Sequence, residues 1–208
     1  PTTPNFYTET KLRDRLSSST INDILKLIVP YGWFIPVSPG TSYATLGGAI
    51  ASDVHGKNHH HSGTFSQYVL SLKIMIGNGE ILDISPNNTK DLFHATCGGM
   101  GLTGIILSAT IKLLKIESSK IKQIELKTKS LEETCSIFEE NKNSTYSVAW
   151  LDCMATGRSQ GKSIVILGEH DDEKNLNFEI KKNINIPFNI PSFILNKYSI
   201  AAFNKFYY

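Results

Sequence analysis

The chain has 208 residues, of which 40% are hydrophobic and 19% charged, and a formal net charge of +2. That composition suits a globular protein with one large domain or two small ones, and so weak a charge argues against a nucleic-acid binder. Three cysteines without CxxC spacing exclude a disulfide framework and fit a reducing, cytoplasmic compartment. No apolar run reaches the roughly 18 residues of a membrane span, and the polar start PTTPNFYTETKLRDRL does not read as a signal peptide.

In chain order, residues 1–17 lack periodicity and read as a loose lead-in. SSTINDILKLIVPYG predicts a helix capped by Ser19 or Thr20, with Ile21, Ile24, Leu25 and Ile28 on one face, ended by Pro30 and Gly32. WFIPVSPGTS predicts a short strand entering a Pro-Gly turn. In TLGGAIASDVHG, Thr45 can cap a short helix whose Gly47 and Gly48 let another backbone or a phosphate come close. YVLSLKIMI and EILDIS flank Gly77-Asn78-Gly79, a hairpin whose turn residues would supply positive φ angles. NTKDLFHATCGG predicts a helix capped by Asn88 or Thr89 and stopped by Gly98-Gly99. GIILSATIKLLKI reads as one long β-rich run.

A boundary is expected near residues 117–122, where ESSKIK is polar. Beyond it come a strand (QIELKTK), a helix (SLEETCSIFEENK) with Ser130 as cap and Glu133 completing a capping box, and two strands, YSVAWLD and KSIVILGEH. PSFILNKYSIAAFNKFYY predicts an aromatic helix. It stops without a polar tail, so the chain reads as truncated there.

The stretch GGAIASDVHGKNHHHSGTFS packs four of the six histidines into seven positions. A metal site is disfavoured: consecutive histidines point apart on a strand or a helix, and no second ligand pair stands at metal spacing. A neutral imidazole could serve as a general base, but nothing in the sequence fixes a partner for His55. Three small-residue segments, SPGT, TLGGA and CGGMGLTG, can each present backbone N–H groups without side-chain obstruction. Together they suggest a large anionic cofactor, although their spacing matches neither a Rossmann nor a P-loop fingerprint.

The order PGT, TLGGAIASDVHGKNHH, the hairpin and LFHATCGGMGLTGII resembles the vanillyl-alcohol-oxidase-like (PCMH-type) flavoproteins, which bind FAD in a two-subdomain α+β module. GGAIASDVHGKNHH, with YSVAW and LNKYS, resembles the branch acting on decaprenylphosphoryl-β-D-ribose. The resemblance implies an α+β chain. Residues 1–17 would be a lead-in, 18–118 the second subdomain of the FAD-binding domain, and 119–208 the start of a substrate (cap) domain. Gly40, Thr45, Leu46, Gly47 and Gly48 would lie along the FAD pyrophosphate and ribityl chain. Ser52, Asp53, Val54 and His55 would continue that wall towards the isoalloxazine, and Ile106 would meet the adenine end through its backbone.

The same resemblance puts Lys57 at the substrate side as the catalytic and substrate-binding cation, with Ser147 and Trp150 facing that cavity. Asn58, His59 and His60 would line or brace the region, and His61 gains no role. No metal is implied. The implied reaction is oxidation of a sugar hydroxyl, the 2′-OH of a polyprenylphosphoryl pentose, by hydride transfer to flavin. A sugar-lactone or alditol oxidase and an inert remnant are the alternatives. A reductase partner would complete an epimerisation, and a lipid-linked substrate would bring the protein to the membrane surface. Residues 1–17 lack the family's glycine- and serine-rich pyrophosphate loop, and the family's C-terminal pocket lysine and tyrosine would fall beyond position 208. The chain therefore reads as an internal portion of a longer enzyme.

Overall fold

The computed structural model describes residues 19–178 and 191–208. The lead-in expected over residues 1–17 lies outside them. The chain divides into two compact units. One comprises residues up to Ser119 together with Glu173–Asn177, and the other Lys120–Asp172 together with residues from Phe178 to Tyr208.

In the first unit, α1 (Ile21–Ile28) begins with a reciprocal capping box. Thr20 Oγ1 accepts from the Asp23 N–H at 3.2 Å, and the Asp23 carboxylate accepts from the Thr20 N–H at 3.1 Å. Ile21, Leu25 and Ile28 are buried on one face. Pro30 sits in a single 3-10 turn, Val29–Tyr31, which ends at Gly32 with φ +79°. The strand expected next is only β1 (Trp33–Phe34), because Pro36 has no N–H to extend a ladder.

The central sheet of this unit joins β2 (Val69–Met75), β3 (Ile81–Ile84) and β4 (Ile105–Ile111) in the order β3-β2-β4, all antiparallel. Leu72, Ile74, Ile84 and Ile106 are buried in it, and Phe65 and Phe93 join the core. The β2–β3 turn corrects one expectation: only Gly79 takes a positive φ (+86°), while Gly77 and Asn78 do not. The Gly79 N–H donates to the Ile76 carbonyl at 2.9 Å, so a turn of ordinary hand is closed by one left-handed residue.

The run GIILSATIKLLKI is not one strand. After β4 the Lys112 N–H bonds to the Tyr68 carbonyl at 2.8 Å, and β5 (Leu114–Lys115) pairs with β1 in a separate two-stranded ladder. In α4 (Lys90–Thr96), neither candidate cap bonds to the helix. The Asn88 and Thr89 side chains both accept from the Ser85 N–H at 3.0 Å, closing the turn that precedes it. Residues 173–177 return to this unit after the second sheet. The Ser119 N–H donates to the Asn175 carbonyl at 2.8 Å, and Ser119 Oγ to the Asn177 carbonyl at 2.6 Å.

In the second unit, β6 (Ile121–Thr128), β7 (Tyr146–Leu151) and β8 (Ser163–His170) form an antiparallel sheet in the order β6-β8-β7 with unbroken register. α5 (Leu131–Glu140) is capped by Ser130, which accepts from the Glu133 N–H at 3.3 Å. The expected box is offset by one residue, since the Glu133 carboxylate takes the Lys129 N–H at 2.6 Å. Thr128, Thr134 and Ser163 form a buried hydroxyl cluster that ties α5 to β6 and β8. α6 (Lys197–Tyr207) starts at Asn196, whose side-chain Oδ1 accepts from the Tyr198 and Ser199 N–H groups. Among the described residues no helix is long and apolar enough to cross a membrane.

Candidate cofactor site

The small-residue helix is α2 (Leu46–Ala51), capped by Thr45 Oγ1, which accepts from the Gly48 N–H at 3.1 Å. Six residues do not hold a helix alone, so its stability comes from what clamps it. Its start is tied to α1: the Leu46 N–H donates to the Ser19 carbonyl at 2.9 Å, and Ile21 N–H to the Ala44 carbonyl at 2.8 Å. Ala49 and Ile50 are fully buried, whereas Gly48 is exposed.

The end of α2 is a Schellman motif. The Asp53 N–H bonds to the Ile50 carbonyl and the Val54 N–H to the Ala49 carbonyl, both at 3.0 Å. The left-handed residue is Asp53 (φ +40°) rather than glycine. An aspartate tolerates that conformation, and its Oδ1 accepts from the Ser66 N–H at 2.8 Å. The CGGMG loop also closes on this end of α2: the Gly98 N–H shares the Ile50 carbonyl at 3.0 Å and the Met100 N–H reaches that of Ala51 at 2.8 Å. Gly98, Met100 and Gly101 all take positive φ there. Burial, with the nearby Asp53 adding, pushes the Cys97 thiol beside this loop up to about 11.

The SPGT segment meets the histidine loop at Gly56. A Cβ on Gly56 would lie 2.8 Å from the Ser38 carbonyl oxygen and 2.8 Å from Asn58 Oδ1, so only glycine fits. Asn58 is 2% exposed and donates through Nδ2 to the Pro36 carbonyl at 2.7 Å and to Ser62 Oγ at 2.9 Å. His55 pairs with Thr64 through an isolated bridge. The tandem histidines open a four-residue helix, α3 (His59–Ser62), and the His59 ring centroid lies 5.4 Å from that of His55. Among the described residues no group of three or more His, Cys, Asp or Glu could hold a metal ion.

Residues 45–58 run from the Thr45 cap through α2 and its left-handed end to the Gly56 contact and Asn58. Gly40 and Gly48 are exposed, with only open space around a Cβ built on Gly40. Ser52, His55 and Lys57 are exposed, and Val54 and Gly47 are half-buried. Leu46 is 3% exposed, so its side chain belongs to the core, and its N–H is taken by the Ser19 carbonyl. The Asp53 carboxylate is likewise engaged by Ser66. Ile106 is 7% exposed and pairs with Ile74, but it lies on β4, an edge strand of the described sheet.

One expectation is corrected. Ser147 and Trp150 were expected to face one cavity, but they stand three residues apart on an unbroken strand, β7, and so point to opposite faces. Ser147 shares its face with Leu151, Val165 and Ser163, and Trp150 packs its ring 5.0 Å from Tyr207 of α6. What the sequence reading missed are the backbone partners: Ser38, Ser66 and the carbonyls of Ile50 and Ala51. Gly56 in HGKN was the available signal for the first of these.

The second unit holds two polar groupings. Asp152, 5% exposed, accepts from the Asn204 amide at 2.6 Å and pairs with Lys162 at 3.3 Å. Burial pushes its carboxyl up, but the Met154 N–H, Asn204 and Lys162 together outweigh that and hold it below the ordinary value. Tyr146 Oη lies 3.0 Å from His170 Nε2. Burial, with Glu169 adding, pushes the Tyr146 hydroxyl up to about 12. Burial also lowers the His170 imidazole, against an upward pull from Glu169.

Residues 17–85 match the family model described as an FAD binding domain. The chain is 33% identical over 211 residues to decaprenylphosphoryl-β-D-ribose oxidase of Mycolicibacterium smegmatis, covering 96% of this chain and 46% of that protein. It is 32% identical over 112 residues to D-arabinono-1,4-lactone oxidase of Yarrowia lipolytica, covering 54% of this chain and 20% of that protein. It is also 34% identical over 88 residues to D-lactate dehydrogenase of Archaeoglobus fulgidus, covering 40% and 20% respectively. The chain thus spans less than half the length of these curated relatives.

Proposed function

The chain belongs to the PCMH-type FAD-binding flavoproteins, with FAD as its cofactor, and on that premise we propose that it forms part of an oxidoreductase acting on a sugar hydroxyl. The observation that carries the reading is the clamping of α2. The Gly98 and Met100 N–H groups of the CGGMG loop close on α2, and the SPGT segment lies against Gly56 just beyond it, while Gly40, Gly48 and Ser52 stay exposed. A side-chain-poor wall of this kind fits a long anionic cofactor, because backbone N–H groups can approach phosphate without obstruction.

In this reading Gly40, Thr45, Leu46, Gly47 and Gly48 hold the pyrophosphate and ribityl chain, and Ser52, Asp53, Val54 and His55 extend the wall. Ile106 offers backbone at the adenine end. When bound, FAD supplies an acceptor for the hydride of a carbinol carbon. Lys57, exposed between Gly56 and Asn58, holds the anionic end of the substrate by charge. Ser147 and Trp150 belong to the second unit, where the Trp150 ring packs against Tyr207.

The substrate in this proposal is a polyprenylphosphoryl pentose, the class that the name of the mycobacterial relative carries, and the group oxidised is its 2′-OH. A reductase partner would return the resulting ketone to an alcohol of opposite configuration, and a lipid-linked substrate would bring the protein to a membrane surface. The similarity to the yeast lactone oxidase supports a second reading, oxidation of a free sugar lactone.

Titration of the purified protein with FAD, followed by the visible flavin band, tests the cofactor reading; a protein that stays colourless at saturating FAD overturns it. Bleaching of the flavin by a polyprenylphosphoryl ribose and not by an aldonolactone is the expected result, and the reverse preference favours the second reading. Gly48→Val is expected to abolish flavin uptake. Because a Cβ there lies 3.0 Å from Thr45 Oγ1, Gly48→Ala serves as the control that disturbs the cap by only a few tenths of an ångström.

A further inference from the structure

We propose that Asn58 is a positioning residue that fixes where Lys57 presents its ammonium group; the inference rests on the reading of Lys57 as the anion-binding cation. Both residues flanking Lys57 are held in place. Gly56 lies against the Ser38 backbone, where a Cβ would come within 2.8 Å of the carbonyl oxygen and 3.3 Å of the nitrogen. Asn58 is 2% exposed and spends both amide protons on fixed acceptors, the Pro36 carbonyl at 2.7 Å and Ser62 Oγ at 2.9 Å.

Those two bonds also fix the orientation of the amide. Turning it over would place Oδ1 against the Pro36 carbonyl, two acceptors with no proton between them. Asn58 Oδ1 is buried and has no hydrogen-bond partner among the described residues. It fills the space left by the missing side chain of Gly56, whose built Cβ would lie 2.8 Å from it. The Asn58 carbonyl meanwhile accepts the His61 and Ser62 N–H groups at 2.9 and 2.8 Å, which starts α3. One side chain thus joins three segments: the strand exit at Pro36, the Gly56–Lys57 turn and the short histidine helix.

Lys57 gains its fixed origin from this bracket. A long lysine side chain selects an anion well only when its Cα is fixed, because every degree of freedom left to the backbone is lost again on binding. Removing the Asn58 amide leaves the buried Pro36 carbonyl without its partner, and opening of the loop relieves that.

The test uses Asn58→Ala with Ser62→Ala and Lys57→Ala. Hydrogen exchange of the whole protein reads the bracket directly. We expect the amides of residues 55–58 to exchange at least about tenfold faster in Asn58→Ala, with the sheet β3-β2-β4 unchanged, and a smaller effect in Ser62→Ala, which keeps the Pro36 bond. Equal acceleration across the sheet, or none at residues 55–58, overturns the proposal by making Asn58 an ordinary core residue or a dispensable one. In the flavin-loaded protein, Asn58→Ala is expected to raise KM for a phosphate-bearing substrate about tenfold while kcat and the KM of an uncharged alkyl riboside stay within about twofold. A parallel loss for both substrates counts against positioning. If Lys57→Ala leaves the phosphate preference untouched, the anion-binding reading of Lys57 fails, while the exchange result still decides whether Asn58 holds the turn.

Discussion

The two units hold their chains by different means. In the second, β6, β8 and β7 run in unbroken register, and side chains decide the structure: Val165 and Leu167 in the core, the Thr128–Thr134–Ser163 cluster, and Asp152 with Asn204. In the first unit α2 and the Gly98–Met100 loop that closes on it are held by backbone. A six-residue helix is clamped by carbonyls and N–H groups, by one left-handed aspartate and by glycines that admit a neighbouring chain. The difference teaches where a large ligand can be met. Regular sheet spends its backbone on itself and covers it, whereas the clamped helix leaves Gly48 and Ser52 exposed.

If that contrast is right, the most damaging small change is a methyl group on a first-unit glycine. A Cβ on Gly99 would lie 2.0 Å from the Ala95 carbonyl oxygen, and one on Gly104 (φ +149°) would lie 2.4 Å from that of Met75. Gly99→Ala and Gly104→Ala should each cost about 3 kcal/mol or more, seen as a large loss in the urea midpoint of the first unit. A loss below about 1 kcal/mol would show that the clamps flex.

The second unit should answer to side-chain chemistry. Thr134→Val strips the hydroxyl from a buried cluster and should cost about 1–3 kcal/mol, with urea unfolding as the readout. The pH dependence follows from Asp152. Its folded carboxyl titrates below the ordinary value, so its contribution is complete above the unfolded carboxylate pKa and is lost as pH falls through the depressed folded one. Asp152→Asn should flatten that acid limb, and an unchanged limb in a pH series of urea midpoints would move the cause elsewhere. The smallest effect is expected at Lys57→Ala. The side chain is exposed, so stability should stay within about 0.5 kcal/mol while the phosphate preference is lost.

Much of the local structure was legible because it is written in neighbouring residues. Thr20, Thr45 and Ser130 cap the helices expected of them, and the hairpin around Gly79 forms where turn chemistry put it. What escaped depends on residues far apart in sequence. Nothing in GIILSATIKLLKI announces that Tyr68 will take the Lys112 N–H and split the run, and nothing near Asn175 announces Ser119. At the candidate site, the glycines and the HGKN loop stood out by composition. The roles of Asp53 and Asn58 as braces emerged only once Ser66 and Pro36 were seen beside them. The opposite facing of Ser147 and Trp150 follows from strand parity, which the resemblance alone did not weigh.

The return of residues 173–177 to the first unit carries a consequence for how the protein is made. On a ribosome, Ser118 and Ser119 emerge early but stay without Asn175 and Asn177 until every strand of the β6-β8-β7 sheet has been synthesised. Local pairings form readily and distant ones wait, so the first unit cannot close its last seam as it leaves the tunnel. Completion of one half is thereby scheduled by translation of the other, and a nascent chain stalled before residue 173 would hold the first half short of its finished form.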